Sequence, residues 1–140
     1  MYCIDTNIAI DVFRGDLVLG DKVQKAINEG KEMFISAISV CELFKGSYII
    51  KAEKKRSEDI YKIKEFVKNI NFVSFDENCC EEFGKIYGLL SSSGRMIPEP
   101  DIMIAAIAKI NNLILITRDK KHFAGTGVRL EAWRNGKYIV

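Results

Sequence analysis

The chain has 140 residues, 48% of them hydrophobic and 29% charged, with a net charge of +2 and a pI of about 8.3. That length and balance describe one compact domain with a real core and exclude a disordered or low-complexity chain. The weak positive charge excludes attachment to nucleic acid by bulk charge alone, so any such binding needs a local basic face.

In chain order, Tyr2-Cys3-Ile4 predicts a short strand that ends at Asp5. A helix is expected from about Asn7 to Phe13, broken by Gly15, and a second from Leu17 to Asn28, closed by Gly30. Met33-Phe34-Ile35 predicts the second strand. Ser39 then opens a helix, with Glu42 three residues on, the spacing of a capping box. Ser57 to Ile70 is amphipathic, with Ile60, Ile63, Val67 and Ile70 on one face. Phe72 to Phe75 predicts the third strand, and Asp76 or Asn78 caps the helix that follows. The inner face of that helix is Phe83, Ile86, Tyr87 and Leu90, and residues 91–94 end it. Pro98 and Pro100 fix an extended loop. Ile102 to Ile110 reads as a helix of Ile and Ala packed closely on a sheet. Leu113 to Ile116 is a fully apolar fourth strand, as in the middle of a parallel sheet, and Val128 to Leu130 is the last strand. Strands alternating with helices predict a three-layer α/β/α fold around a central, mainly parallel sheet of four to five strands. One domain spans residues 1–140.

The four cysteines, Cys3, Cys41, Cys79 and Cys80, form no C-x-x-C pair, and the single histidine, His122, has no cysteine near it. This argues against a zinc site. Cys3 and Cys41, among apolar neighbours, read as small core residues, and reduced thiols suit the cytoplasm. Asp5 interrupts any apolar leader, and the longest apolar run, Ile102 to Ala108, is too short to cross a bilayer, so no membrane role is expected.

Four acids stand out by position. Asp5 follows the first strand, and Asp119 lies just past the fourth. Residues past the C-terminal ends of parallel strands gather on one edge, where α/β proteins bind ligands. Glu42 and Asp101 sit on helices that can face the same edge. Taken singly, each has a plainer reading: Asp101 as a cap, Glu42 as a capping-box partner, Asp119 as a turn residue. Asp5 is harder to explain away, because a carboxylate among Ile4, Ile8, Ala9 and Ile10 is costly to bury without a partner. Four converging carboxylates repel one another unless a cation joins them. Oxygen-only ligands suit Mg²⁺ or Mn²⁺, and such an ion suits phosphoryl chemistry on a nucleic acid. Thr6, Asn7, Ser39 and Thr117 can support these acids, and Arg14 and Arg118 lie where they can meet phosphate. Residues 45–68 carry eight basic against four acidic side chains and form either an RNA face or an ordinary solvated helix. Leu17, Val18 and Leu19 with Tyr48-Ile49-Ile50 form either a partner surface or ordinary core.

Ile4-Asp5-Thr6-Asn7-Ile8 resembles the D-T-N motif that opens PIN domains. Ser39 to Leu43 resembles their S-x-x-E-L motif, and Asp101 to Ala108 their D-x-x-I-A-A-x-A motif. Thr117-Arg118-Asp119 through Phe123, with Gly127, Val128 and Leu130, is similar to the T-x-N/D-x-x-x-F stretch and closing strand. The motifs occur in order over residues 4–130. The resemblance implies a PIN-like fold with an acidic pocket for Mg²⁺ or Mn²⁺ and endoribonuclease activity with water as nucleophile. It implies that Asp5, Glu42, Asp101 and Asp119 are the catalytic, metal-binding acids. The chain's size is similar to VapC-type toxins, which implies an RNA substrate, a small cognate antitoxin protein and a homodimer. The chain departs from the pattern at Asp119, where many members carry Asn, and at His122, where many carry an acid. The readings weighed against this are a PIN nuclease of RNA processing without an antitoxin, a non-catalytic RNA-binding PIN-like module, and a receiver domain. The last needs paired acids after the first strand, which are missing.

Overall fold

A computed structural model of the chain describes residues 1–136; positions 137–140 of the expected domain lie outside the described residues. Five short strands, β1 (Tyr2–Ile4), β2 (Met33–Ser36), β3 (Asn71–Val73), β4 (Ile114–Thr117) and β5 (Leu130–Ala132), form one sheet in the order β3-β2-β1-β4-β5. Every pairing is parallel, with Cys3 opposite Phe34 on one side and Leu115 on the other. The chain builds outward from β1 to β3, then returns to place β4 on the free side of β1. The strand order therefore reverses between β1 and β4, the place where open α/β sheets form a ligand crevice at their C-terminal edge.

Side chains alternate along each strand, so neighbouring residues serve opposite faces. Ile4, Ile35 and Ile116 face one core with α1 (Thr6–Phe13), α2 (Leu17–Asn28), α3 (Ala37–Tyr48) and α4 (Glu53–Lys68). Cys3 and Leu115 face the other with α5 (Glu77–Ser93), α6 (Glu99–Ile110) and α7 (Lys120–Phe123). Two helical layers thus enclose the sheet, as the alternation predicts. Along α6, Ile102 and the run Ile104 to Ala108 are fully buried, and the alanines bring the helix backbone close to the sheet. Each buried isoleucine stabilises the fold by about 2 kcal/mol through removal of apolar surface from water.

Boundaries differ from the expected ones where capping decides them. The cap of α3 is Ser36, not Ser39: its Oγ accepts from the Ser39 N–H at 3.1 Å, so the helix opens at Ala37 and Glu42 stands too far along to close a capping box. Helix α4 begins at Glu53, before Ser57, with no side-chain cap at Ala52. The strands β3 and β5 run over 71–73 and 130–132. Pro100 lies inside the first turn of α6, where its missing N–H costs nothing, so the extended segment ends at Pro98. Asp76 caps α5 through the Cys79 N–H, and Gly94 closes that helix in the left-handed region at φ 68°. Cys41 is exposed rather than core, whereas Cys3 and Cys79 are buried. Of the two apolar stretches, Leu19 is core, while Leu17, Tyr48 and Ile49 are exposed. No helix among the described residues is long and apolar enough to cross a membrane.

Candidate active site

A cavity of about 720 Å³ opens at the C-terminal edge of the sheet, over the β1–β4 reversal. Asp5, Thr6, Asn7, Asp101, Thr117, Arg118, Asp119, His122, Phe123 and Arg134 line it. Each acid arrives by a separate local device.

Asp5 ends β1, and its backbone N–H donates to the Ile116 carbonyl at 2.9 Å, tying it to the end of β4. Its Oδ1 accepts from the Ile8 N–H at 3.0 Å, which caps α1. The residue is only 4% exposed. Burial pushes its carboxyl above the ordinary range; the Thr117 hydroxyl and the Ile8 N–H pull it back, the nearby Asp101 charge raises it, and Arg118 lowers it. A buried carboxylate that feels a second carboxylate is unfavourable in the bare protein and favourable beside a cation.

Asp101 lies in the first turn of α6, where the helix dipole favours negative charge. His122 Nε2 stands 2.7 Å from Asp101 Oδ2, with the ring edge-on to buried Phe123 at 4.9 Å between centroids. Asp119 caps α7: its Oδ1 accepts from the Lys121 and His122 N–H groups at 3.0 and 3.3 Å. Both bonds fall on one oxygen, and the residue is exposed. Arg118 pairs with Asp11 at 3.3 Å, and the Asn135 side-chain amide donates to the same Asp11 oxygen at 2.9 Å, so this cation is held at the cavity wall.

Glu42 is the acid that does not line the cavity. It pairs with Lys45 at 3.6 Å on the flank of α3. Its helix is tethered to the cavity rim one turn earlier, where Ser39 Oγ meets Thr6 Oγ1 at 2.9 Å. Of the two arginines expected near phosphate, Arg118 lines the cavity and Arg14 does not. Arg134 does, unannounced by any motif.

Among the described residues no three acids, histidines or cysteines form a ready cluster around a metal ion. The donor set still fits Mg²⁺ or Mn²⁺. Such ions bind through one or two carboxylates and keep the rest of their shell as water and phosphate oxygens. Asp5 and Asp101, which both line the cavity, are the two carboxylates that could hold such an ion, and the burial of Asp5 makes a cation beside it favourable.

The PIN domain family model matches residues 2–127. The chain belongs to the PIN domain family. Ribonuclease VapC2 of Haemophilus influenzae is 34% identical to this PIN domain over 136 residues, covering 94% of this chain and 97% of the relative. A Shigella flexneri protein named tRNA(fMet)-specific endonuclease VapC is 30% identical, with 94% and 97% covered. The solved structure of VapBC-1 from nontypeable Haemophilus influenzae superposes with a TM-score of 0.82 at 27% identity, over 94% of this chain and 97% of that one. This PIN domain is therefore of the VapC type, and the three-layer fold around a parallel sheet is the one the sequence predicts.

Proposed function

We propose that this PIN domain is a metal-dependent endoribonuclease that hydrolyses RNA phosphodiester bonds, the toxin component of a toxin–antitoxin pair. The observation that carries this reading is the buried Asp5 beside Asp101 at the reversal of strand order, in a cavity also lined by Arg118 and Arg134. Asp5 and Asp101 are the core of the proposed metal site; Asp119, with one oxygen uncommitted to its cap, and Glu42, released from Lys45, are the flanking acids. Those acids would hold a Mg²⁺ or Mn²⁺ ion, whose chemistry there would be neutralisation of phosphodiester charge and activation of water. Arg118, fixed by Asp11, and Arg134 bind the substrate's phosphate oxygens. His122, bonded to Asp101, and Thr117, bonded to Asp5, hold the two carboxylates in one orientation.

The relatives named ribonuclease and endonuclease support RNA as the substrate, and the likeness to VapBC-1 supports an antitoxin partner. Exposed Leu17, Tyr48 and Ile49 are the surface we assign to that partner or to a homodimer. Free cysteines and the absence of a membrane-crossing helix among the described residues are compatible with a cytoplasmic, single-domain protein. Induction of the chain alone in a bacterial host tests the toxin reading. Growth arrest by the wild type and none by Asp101→Asn is expected. A wild type that cleaves RNA in vitro yet leaves growth untouched favours a nuclease of RNA processing instead.

A further inference from the structure

A second cavity, of about 410 Å³, adjoins the first and shares one wall with it, the His122 side chain. Arg95, Met96, Ile97, Lys121, His122, Ala124 and Gly125 line it, with no acid among them. Among the described residues neither Arg95 nor Lys121 has a carboxylate within ion-pair distance, in contrast to Arg118, which Asp11 neutralises. Two unneutralised cations facing one hollow repel each other and favour an anion between them.

The cavity is built rather than accidental. Left-handed Gly94 turns the chain off α5, and the Arg95 N–H donates back to the Leu90 carbonyl at 3.0 Å, which fixes the Arg95 backbone. The Arg95 stem then lies on Gly125: a Cβ there would meet Leu90 Cδ2 at 2.9 Å and Arg95 Cδ at 3.4 Å. The missing side chain spares buried Leu90, and the Arg95 stem runs past at ordinary contact distance. Lys121 stands on α7, whose orientation Asp119 sets by its cap. Met96 and Ile97 add apolar surface at the other wall, suited to a ribose or base edge.

Resting on the ribonuclease reading, we propose that this second cavity holds a phosphate of the RNA strand next to the scissile one, gripped by Arg95 and Lys121. The strand then runs from the carboxylate cavity past His122 into the basic cavity, and substrate length beyond the scissile bond adds affinity there. Guanidinium and ammonium donors supply charge-assisted bonds without reading sequence.

The test uses the full chain with Asp5→Asn to block cleavage, and mixed-sequence single-stranded RNA and bulk transfer RNA as probes in fluorescence anisotropy over a salt series. Each neutralised phosphate on a single strand contributes about 0.7 to the slope of log affinity against log salt. Arg95→Ala with Lys121→Ala is expected to weaken binding at least about tenfold and to lower the slope by about 0.7. Arg95→Lys with Lys121 intact is expected to keep the slope. In the cleaving background the same double substitution raises KM, with the loss in kcat the smaller part. An unchanged slope and KM in a protein that still binds and cleaves RNA overturns the basic cavity and leaves the ribonuclease reading standing. So does a slope that falls on Lys64→Ala with Lys68→Ala but not on the Arg95 and Lys121 substitutions, since those two lysines line a separate groove between α3 and α4. A wild type that neither binds nor cleaves RNA overturns both.

Discussion

Replacing Asp5 separates its structural task from its chemical one. Its Oδ1 caps α1 through the Ile8 N–H, and its charge sits at 4% exposure. Asp5→Asn keeps an acceptor at the cap, where Asn and Asp rank alike, and removes the buried charge. Because burial holds this carboxyl above its ordinary range, its ionised form is a cost to the metal-free fold. A raised carboxyl contributes stability below its unfolded pKa and loses it as pH rises through the folded value. In EDTA the Asn variant therefore melts above the wild type at neutral pH, and the gap closes as pH falls toward about 3.9. Asp5→Ala lacks the cap as well, worth about 1 kcal/mol, and melts about 3 °C below the Asn variant for a chain of this length. A cation that binds only the folded state at a hundredfold excess over its Kd adds about 2.7 kcal/mol, or about 8 °C. Mg²⁺ or Mn²⁺ is expected to raise the wild-type Tm by that order and to leave the Asn variant nearly unmoved, with the wild-type gain growing as pH rises and Asp5 ionises. Scanning calorimetry in EDTA and over a metal series reads all of this. An equal metal shift in both proteins would remove Asp5 from the metal site. An Asn variant that melts below wild type in EDTA would refute the buried-charge argument.

The flanking acids rank below the core ones. Asp101→Asn lowers RNA cleavage at least about a hundredfold and Glu42→Gln about tenfold, because only Asp101 lines the cavity; equal losses in single-turnover assays would place Glu42 beside it. Iodoacetamide on the native protein modifies Cys41 and Cys80 but spares Cys79 and Cys3, whose thiol burial pushes up to about 12; mass spectrometry showing early Cys3 alkylation would contradict the burial of β1. Gly94→Ala meets no neighbouring atom yet must adopt a positive φ, so it costs about 1 kcal/mol and about 3 °C; an unchanged Tm would contradict the left-handed cap.

Much of this architecture is legible in local sequence because the strands are apolar and buried on both faces. Leu113 to Ile116 and Tyr2 to Ile4 admit few other readings, and the helices between them show their period. Asp5 and Asp119 are legible for the same reason: a strand end in a parallel sheet fixes which edge a residue joins. The Asp101–His122 contact and the Arg118–Asp11 pair join segments far apart in sequence, so no local pattern announces them. Asp11 leaves only the trace of an acid within the apolar run from Ile8 to Phe13. The expected start of α3 at Ser39 gives way to Ser36, three residues earlier, because the Ser36 hydroxyl takes the Ser39 N–H, and this moves Glu42 out of its capping role. Arg134 follows the last strand, whose register shifts by two residues from the expected one, and its place at the cavity follows from that strand rather than from any motif.

The most direct measurement is cleavage of a structured RNA by the purified protein in Mg²⁺, in Mn²⁺ and in EDTA, beside Asp5→Asn. Internal cleavage that needs the divalent ion and disappears in the variant while its fold persists is the expected result. Cleavage that survives EDTA or the Asp5→Asn exchange, or none by a folded protein with either metal, would contradict it.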